Sequence, residues 1–218
     1  MLISNGYGVL TRLLKCLAAM VLLTGTARAE AVTILALGDS LTAGYGLPQG
    51  DGFVPQLETW LNENSVDATV VNGGVSGDTT AGGAARLGWV LNSDVDAVLV
   101  ALGANDMLRG IDPQETYSNL DSILSELSAR ALPTLLIGIP GPANFGQDYK
   151  TAFDQGFEKL ATVHDVALYP SFLTGLTDAA GSANGALRYL QPDGLHPNAE
   201  GVSLIVQAIG PAVLEILP

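Results

Sequence analysis

Cysteine is almost absent from this sequence of 218 residues, and the one that is present, Cys16, lies in an apolar run near the N-terminus. Arg12 and Lys15 precede this run, which covers residues 16–25, and an Ala-x-Ala pattern ending at Ala29 follows it. A basic segment, an apolar segment and a small-residue site in this order are typical of a secretory signal peptide. The apolar run has roughly half of the ~20 residues that a helix needs to cross a bilayer.

We therefore expect residues 1–29 to form a signal peptide and residues 30–218 to form one domain, secreted to the periplasm or the medium. A retained N-terminal anchor is the alternative. Without residues 1–29 the chain holds no cysteine, which excludes a disulfide and a thiol nucleophile. We expect the mature protein to be a monomer with no stable membrane insertion.

Basic residues are also few, since 9 Lys and Arg stand against 22 Asp and Glu, for a net charge of -13. Removing residues 1–29 takes away three basic residues and no acidic one, which lowers the net charge to -16. A surface this acidic repels polyanions at long range, so we expect no nucleic-acid partner. With 48% hydrophobic and only 14% charged residues, the chain is not expected to be disordered.

Apolar runs and helical patterns alternate along the chain. The runs are rich in Val, Ile and Leu without clean alternation, as expected of parallel strands covered on both faces. The alternation predicts an α/β fold, a three-layer α/β/α sandwich with a five-stranded parallel sheet. The predicted strands cover residues 32–37, 68–72, 96–102, 134–139 and 166–170, and the predicted helices cover residues 53–64, 113–132, 148–164 and 198–217.

The loops after the predicted strands hold the candidate chemistry, because ligands of such folds bind beyond the carboxyl ends of the strands. The loops after the first four strands, residues 38–46, 73–80, 103–110 and 140–146, are all rich in Gly, Asn, Asp or Ser. In the first of them, Ser40 is either the N-cap of a helix or a nucleophile at the edge of the sheet.

A serine nucleophile needs a base, and the sequence contains two histidines. His164 ends a helical pattern, where a histidine more often closes the helix than takes part in catalysis. His196 lies in a turn-rich stretch before the last helix, three residues after Asp193. The Asp-Gly turn allows Asp193 to approach His196 and to fix its tautomer, as the acid of a Ser-His-Asp triad does.

Acyl transfer also needs hydrogen-bond donors aimed at the developing oxyanion. The candidates are the backbone N–H of Gly77, the side-chain amide of Asn105 and the backbone N–H of Ser40, if Ser40 caps the following helix. Ser76 is a rival nucleophile, although Asp78 stands where the G-x-S-x-G pattern requires its last glycine.

Four motifs occur in order at these places: GDSL at residues 38–41, SGDT at 76–79, GAND at 103–106 and DGLHPN at 193–198. Together they resemble the four blocks of the GDSL, or SGNH, hydrolases, which have a flavodoxin-like sandwich fold. The resemblance is closest to the bacterial secreted group of multifunctional acyl-CoA thioesterase I, lysophospholipase and arylesterase. It covers essentially the whole mature chain.

The resemblance implies a role for each residue assembled above. Ser40 becomes the nucleophile, and Gly77 and Asn105 become oxyanion donors together with the amide of Ser40. His196 becomes the general base and then the acid, oriented by Asp193. The implied reaction is hydrolysis of small-molecule acyl esters and thioesters through a covalent acyl-enzyme, with no metal and no cofactor.

The loop after the third strand and Phe145 supply the expected contacts to substrate, namely Met107, Leu108, Arg109 and Phe145. Arg109 is alternatively a solvated or salt-bridged charge. Two other functions stay open from the sequence: a carbohydrate O-deacetylase of the same fold, and a binding module without turnover. The apolar residues Met107, Leu108, Ile111 and Phe145 weigh against the deacetylase, and the intact set of catalytic positions weighs against the binding module.

Overall fold

A parallel sheet of five strands forms the centre of the structure, a computed structural model that describes residues 31–91, 94–181 and 183–218. The strands are β1 (Val32–Gly38), β2 (Ala68–Gly74), β3 (Ala97–Ala101), β4 (Thr134–Ile137) and β5 (Ala167–Tyr169). Their order across the sheet is β2-β1-β3-β4-β5, and every neighbouring pair is parallel. The chain therefore changes its direction of winding between β1 and β3, which is where ligands bind in folds of this order.

The register places the last residues of β1, β2 and β3 at the same level of the sheet. Gly38, the last residue of β1, pairs with Gly74 of β2 on one side and with Ala101 of β3 on the other. The segments that follow these residues leave the same edge of the sheet together. This edge is where the serine, glycine and asparagine motifs were predicted to meet.

Helices cover both faces of the sheet. They are α1 (Ser40–Ala43), α2 (Phe53–Glu63), α3 (Thr80–Val90), α4 (Ala104–Leu108), α5 (Pro113–Ala129), α6 (Gln147–His164), α7 (Thr174–Ala180), α8 (Ala183–Ala186) and α9 (Ala199–Ile216), with a 3-10 turn at Leu187–Tyr189.

The two faces of β1 pack against different helices. Helices α2, α7 and α9 pack on one face with Ile34 and Ala36, and α3, α5 and α6 pack on the other face with Leu35 and Leu37. Both faces of β1 are thus apolar and buried, which is why its sequence lacks an alternating pattern.

All five predicted strands and all four predicted helices are present, so the predicted three-layer fold is confirmed. Helix α3 was not predicted from the sequence. Residues 31–218 form one compact unit, and the predicted signal peptide, residues 1–29, lies outside the described residues and remains a prediction.

Helix α9 is, in the part of the chain that the structure describes, long and apolar enough to cross a membrane by length and composition. Its face with Val202, Ile205, Ile209 and Val213 is buried against the sheet. The same length and composition suit a core helix, and this packing explains the apolar character of α9.

Candidate active site

Ser40 stands at the junction of β1 and α1. Asp39, and not Ser40, is the N-cap of α1, because the Oδ1 atom of Asp39 accepts a hydrogen bond from the backbone N–H of Leu41 at 3.0 Å. The alternative that Ser40 is the N-cap of this helix is therefore wrong. Ser40 is the first helical residue, so its backbone N–H is one of those that an α-helix leaves without an intrahelical partner.

The side chains of Ser40, His196 and Asp193 form one chain of hydrogen bonds. The Nε2 atom of His196 lies 2.9 Å from the Oγ atom of Ser40, and its Nδ1 atom lies 2.7 Å from the Oδ2 atom of Asp193. A carboxylate only accepts hydrogen bonds, so the imidazole carries its proton on Nδ1 and presents Nε2 as an acceptor to the hydroxyl of Ser40. This is the tautomer that can act as a base toward Ser40.

Asp193 is held in its charged form by local hydrogen bonds. The backbone N–H of Leu195 donates to its Oδ1 atom at 2.9 Å, and the backbone N–H of His196 does so at 3.0 Å. The hydrogen bond from the Leu195 N–H, followed by that from the His196 side chain, lowers the pKa of Asp193 to about 2. The carboxylate beside His196 is therefore ionised at neutral pH.

Gly77 and Asn105 lie on two loops next to Ser40. The backbone of Gly77 has a φ of +84°, a conformation that favours glycine, and its carbonyl accepts a hydrogen bond from Nη2 of Arg109 at 2.8 Å. Asn105 is the second residue of α4. Ser40, Gly77, Asn105 and His196 all line one cavity, so the structure brings the predicted catalytic and oxyanion positions together.

The side chain of Asp39 holds the side-chain amide of Asn105 by a hydrogen bond. The Nδ2 atom of Asn105 donates to the Oδ2 atom of Asp39 at 3.3 Å, and Asp39 is only 1% exposed. Burial raises the pKa of Asp39 to about 6, although the hydrogen bonds from Leu41 and Asn105 counteract part of this effect. An amide nitrogen carries two N–H groups, so Asn105 can keep one on Asp39 and offer the other to the cavity.

Asp106, the residue after Asn105, ties the loop of Asn105 to the beginning of α3. It is fully buried, and its carboxylate accepts from the backbone N–H of Thr80 at 2.9 Å and from the hydroxyl of Thr80 at 2.5 Å. Thr80 begins the helix that directly follows the Gly77 loop. A buried carboxylate with these donors fixes the two loops relative to each other.

The cavity beside Ser40 has a volume of about 420 Å³ and a largely apolar wall. Met107 and Leu108, which were predicted to contact substrate, line it. Arg109 and Phe145 are not among the lining residues, and their predicted contact with substrate is not supported. Arg109 binds the carbonyl of Gly77 instead, and the ring of Phe145 packs on Gly110 and on Tyr149.

The sequence assigned no substrate contact to the other lining residues, although most of them lie in the loops that were predicted to hold the candidate chemistry. The additional lining residues are Leu41, Tyr45, Ser76, Ala104, Ile139, Pro140, Leu173 and Leu195. Ile139 and Pro140 follow β4 after Gly138, and Pro140 opens the loop of residues 140–146 to which the rule that ligands bind beyond strand ends had pointed. The ring of Tyr45 packs against that of His196 with 4.7 Å between centroids, and no motif in the sequence signals this contact.

The two rival residues have other positions. The Nε2 atom of His164, in the last turn of α6, lies 2.8 Å from the Oδ1 atom of Asp121 and joins α6 to α5. Ser76 is exposed on the wall of the cavity, but the hydrogen bond with the imidazole of His196 is made by Ser40. Among the described residues, no group of three or more His, Cys, Asp and Glu side chains could hold a metal ion.

A parallel sheet of this order, with a serine, a histidine and an aspartate at its carboxyl edge, defines a serine hydrolase of the α/β class. The chain belongs to the GDSL-like Lipase/Acylhydrolase family, whose model matches residues 36–204.

Three relatives illustrate the similarity. Esterase TesA of Pseudomonas aeruginosa is 36% identical over 200 residues, which are 91% of this chain and 95% of the relative. Thioesterase 1/protease 1/lysophospholipase L1 of Escherichia coli K12 is 39% identical over 188 residues, 85% of each protein. The crystal structure of AlinE4, an SGNH-hydrolase family esterase, has a TM-score of 0.70 and 42% identity, and the match covers 87% of this chain and 98% of that one. These findings confirm the predicted family, and the names of the relatives agree with the predicted class of enzyme.

Proposed function

We propose that this protein is a serine esterase that hydrolyses aryl, fatty-acyl and lysophospholipid esters and acyl thioesters through a covalent acyl-enzyme on Ser40. The observation that carries the proposal is the Asp193–His196–Ser40 chain of hydrogen bonds at the wall of an apolar cavity. The names of the relatives, which include an esterase and a thioesterase/lysophospholipase, support the range of substrates.

The first half of the reaction forms the acyl-enzyme. The Oγ atom of Ser40 attacks the acyl carbonyl carbon while Nε2 of His196 takes the hydroxyl proton, and Asp193 stabilises the imidazolium that results. His196 then returns this proton to the alcohol or thiol, which leaves as the bond to the acyl carbon breaks. In the second half, water gives a proton to His196 and attacks the acyl carbon, and the acid is released from Ser40 as the serine regains its proton.

The oxyanion that forms in both halves is the intermediate that three donors would stabilise. These are the backbone N–H groups of Ser40 and Gly77 and the Nδ2 amide of Asn105. The Gly77 loop is held by Arg109 and the Asn105 amide by Asp39, so the donors are fixed before substrate binds. Donors that need no reorganisation contribute most to stabilising the transition state.

The shape and chemistry of the cavity favour acyl chains over acetyl groups on sugars. A volume of about 420 Å³ is in the range of small-molecule sites. Its wall near Ser40 is formed by Met107, Leu108, Ile139 and Leu173, which offer apolar surface to an alkyl chain and few partners to sugar hydroxyls.

The proposed setting of the reaction is the periplasm or the medium. The acidic surface and the signal-like residues 1–29 support secretion to the periplasm or the medium, and the mature protein is proposed to act as a monomer. Fractionation of cells that express the full chain, with sedimentation of the processed product, tests both statements.

The function is tested by hydrolysis of p-nitrophenyl esters from acetate to palmitate by residues 30–218, followed by acyl-CoA and lysophospholipid. We expect turnover that persists or rises beyond acetate, and a loss of about 10⁴-fold or more in kcat for Ser40→Ala without loss of folding. Ser76→Ala is the matched variant, since it removes the other serine hydroxyl at the cavity. Turnover that survives Ser40→Ala but not Ser76→Ala would show that the nucleophile is misassigned, and turnover limited to acetate would favour the deacetylase.

A further inference from the structure

His196 is carried by an exposed loop that organises itself. Within residues 191–196, the backbone N–H of Gln191 donates to the carbonyl of His196 at 2.8 Å, and the N–H of Gly194 donates to the carbonyl of Gln191 at 2.9 Å. Asp193 accepts hydrogen bonds from inside the same loop. These contacts fix Asp193 relative to His196, but they do not determine how far the pair stands from Ser40.

The side chain of Gln191 reaches across to the segment that follows the nucleophile. Its Nε2 atom donates to the carbonyl of Tyr45 at 2.8 Å and to the carbonyl of Pro197 at 3.0 Å. A primary amide nitrogen has two N–H groups, so both are used. One N–H group binds Pro197, next to His196. The other binds Tyr45, in the segment that follows α1, and α1 is the helix that begins at Ser40.

Gly46 makes room for this amide. A Cβ atom at this position would lie 2.3 Å from Oε1 of Gln191, and the backbone of Gly46 has a φ of +74°. The backbone conformation therefore favours glycine, and a Cβ atom at this position would displace the end of the Gln191 side chain. The neighbouring Tyr45 contributes a second contact across the same boundary, since its ring packs on His196.

We propose that Gln191, seated against Gly46, is a positioning residue that sets the distance between His196 and Ser40. The inference rests on the proposed function and goes beyond the triad and the oxyanion donors. Gln191 does not touch the reacting atoms. It acts by docking a preassembled Asp193–His196 pair onto the segment of the nucleophile.

The position is critical because proton transfer from Ser40 to His196 depends on a single hydrogen bond of 2.9 Å between two distant parts of the chain. A displacement of about 1 Å at a reacting pair can lower the rate by about 10²-fold. A residue that only positions the base changes kcat and leaves substrate binding almost unaffected.

The test compares wild type, Gln191→Ala, Gly46→Ala, the double variant and Ser40→Ala with p-nitrophenyl butyrate. Gln207→Ala is the matched control, since Gln207 is an exposed glutamine on α9 whose amide donates to Ser203. We expect Gln191→Ala to lower kcat about 10- to 100-fold with KM within about twofold. The proton NMR signal of the His196 Nδ1–H, which Asp193 holds, should persist in Gln191→Ala, and Gln207→Ala should behave as wild type.

The double variant separates docking from general damage. Gly46→Ala also strains a backbone with a φ of +74°, so part of its effect is independent of Gln191. If the two residues are in contact as proposed, the loss of kcat in the double variant is smaller than the product of the two single losses, because the clash between the new Cβ atom at position 46 and Gln191 is absent from it. Multiplied losses would overturn the proposal, as would a kcat of Gln191→Ala within twofold of wild type or the loss of the Nδ1–H signal. If the wild type is active and its activity depends on Ser40, any of these results contradicts only the positioning role of Gln191. If the wild type shows no Ser40-dependent turnover, the proposed function is contradicted, and this inference with it.

Discussion

Replacing Asp39 with Asn tests whether the buried carboxyl group that accepts a hydrogen bond from Asn105 makes the protein less stable as the pH rises. Asp39 is 1% exposed, and burial raises its pKa from the ordinary 3.8 to about 6 in the folded protein. The nearby charge of His196 lowers this pKa and that of Asp106 raises it, and both effects are smaller than that of burial. Between the two pKa values the folded state binds more protons than the unfolded state, so the free energy of unfolding falls as the pH rises.

The size of this effect follows from the two pKa values. A rise from 3.8 to about 6 corresponds to about 3 kcal/mol, most of which is lost between pH 4 and pH 7. Asn cannot ionise, and it can still accept the hydrogen bond from the backbone N–H of Leu41. We therefore expect the free energy of unfolding of wild type to fall by about 2 kcal/mol more than that of Asp39→Asn over this range of pH.

Urea denaturation at pH 4, 5, 6 and 7 measures the difference. Asp112→Asn is the control, because Asp112 is an exposed N-cap whose Oδ1 atom accepts from the backbone N–H of Gln114, as Asp39 accepts from that of Leu41. Parallel pH curves for wild type and Asp39→Asn would refute the reasoning. The variant should also lose activity, since an amide at position 39 can turn its own N–H groups toward the amide of Asn105.

Two further variants test the surroundings of the site. Asp193→Asn should lower kcat on the order of 10²- to 10⁴-fold, because His196 loses the carboxylate that holds its tautomer. This is checked by measuring kcat together with a thermal unfolding curve, and a change in folding without a change in kcat would contradict it. Asp106→Ala should lower the free energy of unfolding by about 2–4 kcal/mol, because the buried N–H and hydroxyl of Thr80 lose their acceptor. Urea denaturation gives the value, and a loss below about 1 kcal/mol would argue against a buried clamp.

The central strands were predictable because burial on both faces selects a continuous apolar run, as in β1. Helix α3 was not, since its sequence is rich in glycine and has few large apolar residues. At Gly83 the packing accounts for the glycine, since a Cβ atom there would lie 2.3 Å from Cδ1 of the buried Leu102. The close approach of α3 to the end of β3 is a tertiary requirement, and it outweighs local helix propensity.

The positions of the candidate catalytic residues were predictable because each follows a strand or a turn signal. The residues that form the wall of the cavity were less predictable. Phe145 was expected to contact substrate, but its ring is turned onto Gly110 and Tyr149, which belong to other segments. The direction of a loop side chain is set by such contacts, and a single sequence contains no local pattern for them.

The scarcity of basic residues gives a physical reason for where two arginines are found. Residues 30–218 contain six basic residues, Lys and Arg together. One of them, Arg109, donates a hydrogen bond to the carbonyl of Gly77. Arg86 donates from Nη2 to the carbonyl of Gly38 at 2.9 Å and from Nε to Oδ2 of Asp78 at 2.6 Å. The carbonyls of Gly38 and Gly77 belong to the two segments that carry Ser40 and a candidate oxyanion donor. In a chain with this excess of acidic residues, two of the few cations fix the loops that must keep their geometry, and the substrate is left a largely apolar cavity.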